Sequence, residues 1–151
     1  MTRASSDPLI SAVWRILWAL WFVIVLLATT FLLAKFDGHP HWDRVLWVPF
    51  SDFTFTPGTL FETGLNVLLF VPFGYLTVRI LPRTTRRPVL IAVFLGFLCS
   101  AGGELYQVFC DHRVASTTDL LTNGVGTLVG AQAAMWITRV MNLVALRSRP
   151  T

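Results

Sequence analysis

Four long apolar stretches constrain the fold of this chain more than any other feature of the sequence. They occupy residues 13–34, 60–81, 89–110 and 119–140. A helix of about 20 apolar residues crosses roughly 30 Å of hydrocarbon, and each stretch reaches that length. Charged residues make up only 13% of the chain, whereas soluble domains carry about 25%. The sequence therefore predicts an all-α membrane protein, a bundle of four transmembrane helices.

The placement of lysine and arginine predicts the orientation of this bundle. If both termini are cytoplasmic, residues 1–12 and 141–151 are cytoplasmic segments and residues 35–59 form the main outer loop. All but three of the 12 lysines and arginines then lie inside, as the positive-inside rule requires, and the exceptions are Lys35, Arg44 and Arg113. The net charge of +4 is thus a topology signal and does not indicate a nucleic-acid partner.

A cluster of polar residues lies inside the predicted spans, near their predicted outer ends. Three members of the third span share one helix face because they are spaced by four and three residues. The others lie in the outer turns of the second span, in the last connection and in the first turns of the fourth span. The predicted polar cluster is Asn66, Ser100, Glu104, Gln107, Arg113, Ser116, Asp119 and Asn123.

Glu104 is the member of this cluster that costs most free energy to place inside a membrane. A carboxylate inside a bilayer costs about 2.5–3.5 kcal/mol or more, so we expect Glu104 to pair with Arg113. We expect Asp119 to be the acidic member of a capping box that begins at Ser116. The cluster is then either a network that holds the helices together or a site open to the outside. Glu104 and Asp119 are also the candidate acid and base of an enzyme.

Small and helix-breaking residues predict how the spans pack. Gly126 and Gly130 form a small-xxx-small stripe in the fourth span, which is typical of close helix packing. Pro72 and Gly74 predict a bend in the second span. Thr59 and Glu62 match a T-x-x-E capping box at the start of that span.

The outer loop is dense in aromatic residues, which predicts either an interfacial segment or a hydrophobic rim over a site. Its acidic and histidine residues are close in sequence, but Pro40 suggests irregular backbone and no helical histidine pair is present. We therefore predict no metal and no cofactor. The side chains considered for a metal are Asp37, His39, His41, Asp43 and His112.

An ordered set of residues between 47 and 130 resembles the VanZ-like family of bacterial membrane proteins. The set begins with Val48, Pro49 and Phe50 and continues with Asn66, Phe70, Pro72, Gly74, Ser100, Glu104, Gln107, Arg113, Ser116, Asp119, Asn123, Gly126 and Gly130. On this resemblance, residues 13–140 form a VanZ-like membrane domain.

The resemblance implies a multi-pass protein of the bacterial plasma membrane with a role in the cell envelope. Low-level teicoplanin resistance is the phenotype for which the family is named. The implied partners, besides the lipid bilayer, are an envelope lipid, a cell-wall component or a lipoglycopeptide. The alternatives are an intramembrane enzyme that acts on a lipid-linked envelope substrate and a structural membrane partner, for which the Gly126 and Gly130 stripe would be the contact surface. The resemblance is compatible with an oligomer as well as with a monomer.

Overall fold

The computed structural model describes residues 8–30, 35–51 and 53–148. Within these ranges four long helices follow one another: α1 (Pro8–Thr30), α2 (Pro57–Ile80), α3 (Pro88–Gln107) and α4 (Thr117–Arg147). A short 3₁₀ turn, Trp42–Arg44, lies between α1 and α2. Each of the four helices is long and apolar enough to cross a membrane. The predicted four-helix membrane fold is confirmed.

The helix ends differ from the predicted spans by several residues. α2 begins at Pro57, and the Thr56 hydroxyl caps it by accepting a hydrogen bond from the Thr59 N–H at 3.3 Å. The predicted capping box of Thr59 and Glu62 is therefore wrong, because the fixed φ of Pro57 starts the helix one turn earlier. α1 already begins at Pro8, whereas residues 31–34 of the first predicted span lie outside the described ranges.

α4 extends beyond its predicted end at residue 140 and reaches Arg147. Its last turns consist largely of leucine, methionine, alanine and arginine, which are strong helix formers. The segment predicted as a cytoplasmic tail, 141–151, is thus helical over most of its described part.

α2 and α4 form the most extensive helix pair of the bundle. A β-carbon at Gly126 would overlap the Val67 carbonyl of α2, and one at Gly130 would overlap the Val71 carbonyl. The stripe of small residues therefore lets the two backbones approach closely. Because the stripe is occupied by α2 of the same chain, it is not a contact surface for another protein, and that part of the structural-partner alternative is wrong.

Thr127 lies between two further glycines of the neighbouring helices. Its backbone fills the space that Gly74 of α2 leaves, and its side chain fills the space beside Gly96 of α3. The Thr127 hydroxyl donates to the Asn123 carbonyl one turn earlier at 2.9 Å, so this buried polar group is satisfied within α4. Three helices are thereby held together at one level of the bundle.

α1 packs against α2 through an aromatic face. The Trp18 indole N–H donates to the Thr77 hydroxyl at 2.9 Å, and the Trp21 indole N–H donates to the Leu69 carbonyl, also at 2.9 Å. α2 runs uninterrupted through Pro72. These bonds connect α1 to α2 on both sides of the proline.

The connection between α1 and α2 folds back onto the connection between α3 and α4. The His41 N–H donates to the Val108 carbonyl at 2.8 Å, and the Leu46 N–H donates to the Ala115 carbonyl at 3.0 Å. The Leu46 carbonyl in turn accepts from the Thr117 N–H at 3.1 Å. We call this end of the bundle, formed by the described residues of segment 35–56 and by residues 108–116, the loop end. Backbone hydrogen bonds fix segment 35–56 here, while most of its aromatic rings stay exposed.

Candidate functional site

A cavity of about 960 Å³ opens between the helices at the loop end. α1, α2, α3, α4 and the segment 35–56 all contribute to its wall. Seven members of the predicted polar cluster line it: Asn66, Glu104, Gln107, Arg113, Ser116, Asp119 and Asn123. The eighth, Ser100, is buried and accepts a hydrogen bond from the Asn123 amide at 2.8 Å. The residues that the sequence grouped by helix periodicity therefore surround one space.

The Glu104 side chain helps to cap the N-terminus of α4. Its carboxylate accepts a hydrogen bond of 2.7 Å from the backbone N–H of Ser116. Ser116 is the N-cap of α4, and its hydroxyl accepts from the Thr118 N–H at 3.1 Å. The cap at Ser116 is as expected, but its backbone N–H binds a carboxylate from α3. Glu104 thus occupies the place in the capping box that we expected for Asp119.

Arg113 interacts with Asp119, at 3.9 Å between Nη2 and Oδ2. The expected ion pair between Glu104 and Arg113 is wrong: among the described residues, the only carboxylate within ion-pair distance of Arg113 is Asp119. The last connection instead places the Ser116 N–H 2.7 Å from the Glu104 carboxylate, which accepts its hydrogen bond. About a quarter of each side chain of the Arg113–Asp119 pair is exposed, so water screens their attraction.

Two buried amides connect the helices around the cavity. The Gln107 side-chain NH₂ donates to the Thr29 carbonyl of α1 at 3.0 Å, and the Asn123 side-chain NH₂ donates to Ser100 of α3. Both side chains belong to residues only 3% exposed. Their carbonyl oxygens, by contrast, have no hydrogen-bond partner among the described residues. A buried unpaired acceptor costs about 1–3 kcal/mol, and both residues belong to the wall of the cavity.

The cavity also contains residues that the sequence analysis did not assign to it. Glu62 was interpreted as a cap, but it lines the wall one helical turn before Asn66. This four-residue spacing places Glu62 and Asn66 on one face of α2, so the sequence could have indicated that Glu62 belongs to the same cluster. Thr29 of α1 and Phe53 of segment 35–56 also line the cavity, and no local pattern connects them to the cluster.

A second polar group lies at the loop end outside the cavity. The Asp37 carboxylate accepts a bond of 2.9 Å from the His39 N–H and lies 2.9 Å from the His41 ring, while Asp111 lies 3.7 Å from that ring. The hydrogen bond from the His39 N–H, and to a smaller extent the bond with the His41 ring, lower the pKa of Asp37 to about 2. Ligand atoms of Asp37, His41 and Asp111 lie within 4.8 Å of one another, but the histidine is already engaged by Asp37. The side chains of His39 and Asp43 are not part of this group of ligand atoms, and His112 lines the cavity instead.

Comparison with known proteins identifies the family. The sequence model of the family described as VanZ/LLP1 matches residues 15–141. The chain belongs to the VanZ/LLP1 family. The matched region begins within α1 and ends within α4, so it includes α2, α3, most of α1 and α4, and every residue that lines the cavity. No curated protein and no solved structure matches this VanZ/LLP1 chain significantly.

Proposed function

We propose that this protein acts at the outer face of a bacterial plasma membrane, where its cavity binds an envelope component and lowers susceptibility to teicoplanin. The observation that carries the proposal is the lining of the cavity. It combines polar side chains of α2, α3 and α4, namely Asn66, Glu104 and Asn123, with exposed apolar side chains of α2 such as Phe61 and Leu68. Such a lining suits an amphiphile, such as an envelope lipid, a lipid-linked cell-wall component or a lipoglycopeptide.

The outward orientation of the loop end rests on the distribution of basic residues. α2 and α3 are connected at the opposite end by residues 81–87, which include Arg83, Arg86 and Arg87. The positive-inside rule favours the cytoplasm for that end, together with both termini.

Reporter fusions test this orientation. Alkaline phosphatase is active only after export, so a fusion after Arg147 is expected to be inactive and a fusion after Trp47 to be active. A green fluorescent protein fused at the same two positions provides the matched control, because it is expected to fluoresce only in the cytoplasm. The reverse pattern would place the cavity on the cytoplasmic side and overturn the proposal.

Drug susceptibility tests the function itself. Deletion of the gene is expected to lower the minimum inhibitory concentration of teicoplanin more than that of vancomycin, which lacks the acyl chain. Wild-type protein is expected to restore the difference, and Glu104→Gln, expressed to the same level, is expected not to. Equal changes for both drugs would indicate general envelope stress and contradict a specific role.

A second candidate function follows from two of the carboxylates of the cavity, Glu104 and Asp119. Asp119 is paired with Arg113, whereas Glu104 is bonded to a backbone N–H, so the two lie in different surroundings. Carboxylates in different surroundings can serve as acid and base on a lipid-linked substrate. Turnover of a radiolabelled lipid-linked cell-wall precursor by purified protein in proteoliposomes, lost in both Glu104→Gln and Asp119→Asn, would favour this enzyme over a binding protein.

A further inference from the structure

The orientation of the Gln107 side chain determines what the cavity offers to a ligand. The Thr29 carbonyl can only accept a hydrogen bond, so the Gln107 atom that faces it must be the NH₂ group. The other end of the amide is therefore a carbonyl oxygen, which is buried and has no partner among the described residues. Gln107 belongs to the wall of the cavity, so a fixed, buried acceptor lies beside it.

Further acceptors surround this oxygen. Glu104 precedes Gln107 by three residues on the same face of α3, and among the described residues only one hydrogen bond to its carboxylate is formed, from Ser116. Asn123 contributes another unpaired carbonyl oxygen from α4. In total the wall carries three carboxyl groups, Glu62, Glu104 and Asp119, against the guanidinium of Arg113 and the imidazole of His112. The complementary ligand is a hydrogen-bond donor with positive charge.

A metal ion fits this set of acceptors less well than an organic cation. Metal ions need several ligand atoms converging within a few ångströms. Among the described residues, the only group of three acidic, histidine or cysteine side chains at such distances is Asp37, His41 and Asp111, which lies outside the cavity. A primary ammonium donates three hydrogen bonds in different directions and suits acceptors that are spread along a helix face.

The apolar part of the wall indicates that the ligand also carries hydrocarbon. Phe61 and Leu68 of α2 line the cavity and are 66% and 65% exposed. They lie on a membrane-spanning helix, so their exposed surface faces lipid. An amphiphile can therefore keep its chains in the bilayer while its headgroup occupies the polar part of the cavity.

We propose that the cavity binds a lipid whose headgroup ends in a primary ammonium, held by the Gln107 carbonyl oxygen and the Glu104 carboxylate. This inference deepens the proposed function and rests on it, since it names the chemistry of the envelope component. The N–H donors of the headgroup are the decisive feature. A trimethylammonium headgroup has the same charge but no N–H group, and is expected to bind more weakly.

Competition between two lipids tests the inference. Purified full-length protein is equilibrated with equimolar phosphatidylethanolamine and phosphatidylcholine of identical acyl chains, and the bound lipids are counted by native mass spectrometry. A charge-assisted hydrogen bond is worth about 1.5–3 kcal/mol, so about a tenfold or greater preference for phosphatidylethanolamine is expected. Glu104→Gln and Gln107→Leu are expected to reduce this preference, whereas Asp43→Asn, which removes an exposed carboxylate outside the cavity, is expected to retain it.

The possible results separate the ligand from the function. Equal, saturable binding of both lipids would overturn the ammonium headgroup and leave an amphiphile-binding cavity in place. Equal loss of preference in Asp43→Asn would assign the effect to surface charge and overturn the site. Displacement of the lipid by an equimolar amount of free ethanolamine would make the headgroup alone the ligand and overturn the lipid assignment. No saturable binding of either lipid would overturn this inference, while the proposed function is judged separately by the difference between teicoplanin and vancomycin susceptibility.

Discussion

Replacing Gly130 by alanine is expected to destabilise the protein strongly and to lower its folded yield. The added β-carbon would overlap the Val71 carbonyl and approach the Tyr75 backbone N, both of which belong to α2. Backbone atoms cannot move aside as a flexible side chain can, so α2 and α4 must separate along their shared face. Overpacking of this kind costs about 1–3 kcal/mol, and occasionally more. Thermal unfolding in detergent, followed by circular dichroism, measures the effect.

Gly124 provides the matched control in the same helix. A β-carbon at Gly124 would meet no atom within 4 Å, so alanine is tolerated there. Since alanine favours a helix over glycine by about 1 kcal/mol, Gly124→Ala is expected to leave the Tm unchanged or to raise it slightly. If both variants unfold at the same temperature, the close contact of α2 and α4 at Gly130 does not determine stability, and the packing argument fails.

The number and type of the membrane-spanning elements could be predicted because lipid leaves few choices. A chain that crosses hydrocarbon must satisfy its backbone hydrogen bonds internally, so apolar runs of sufficient length become helices. The helix ends depend on capping, helix-starting and helix-forming residues, and the length of an apolar run does not indicate where these act. The hydroxyl of Thr56 and the ring of Pro57 fix the start of α2, and helix-forming residues carry α4 on to Arg147.

The membership of the polar cluster could be predicted for a similar reason. The spacing of Ser100, Glu104 and Gln107 fixes which face of α3 they share, whatever surrounds that helix. The partners of these side chains could not be predicted, because sequence spacing does not show which donor lies nearest. For Glu104 the nearest donor is the backbone N–H of Ser116. Every residue except proline has a backbone N–H, so the sequence does not show which of them binds this side chain.

Contacts between distant segments could not be predicted at all. The Thr29 carbonyl that orients Gln107 is 78 residues away in the chain, and it is a backbone atom. The segment 35–56 is held by backbone bonds to residues 108–117, so its aromatic composition does not reveal where it lies. Of its aromatic rings, only that of Phe53 lines the cavity.

Glu104→Leu is expected to lose both stability and function, whereas Glu104→Gln is expected to lose function alone. Leucine removes the acceptor of the Ser116 N–H, which lies at the buried start of α4. An orphaned buried donor costs about 1–3 kcal/mol. Glutamine keeps a carbonyl oxygen for this N–H and removes the negative charge from the cavity. Comparison of Tm values with teicoplanin susceptibility for the two variants therefore separates the two roles of one side chain.

Arg113 provides an independent check on this assignment. Since Arg113 pairs with Asp119, the double-mutant cycle of Arg113→Gln with Asp119→Asn is expected to show coupling in Tm, although a weak one because the pair is partly exposed. The cycle of Glu104→Gln with Arg113→Gln is expected to be closer to additive, because the two side chains do not bond directly. A larger coupling in the second cycle would mean that Glu104 is held by the guanidinium and not by the Ser116 N–H, and the division between capping and binding roles at Glu104 would then be wrong.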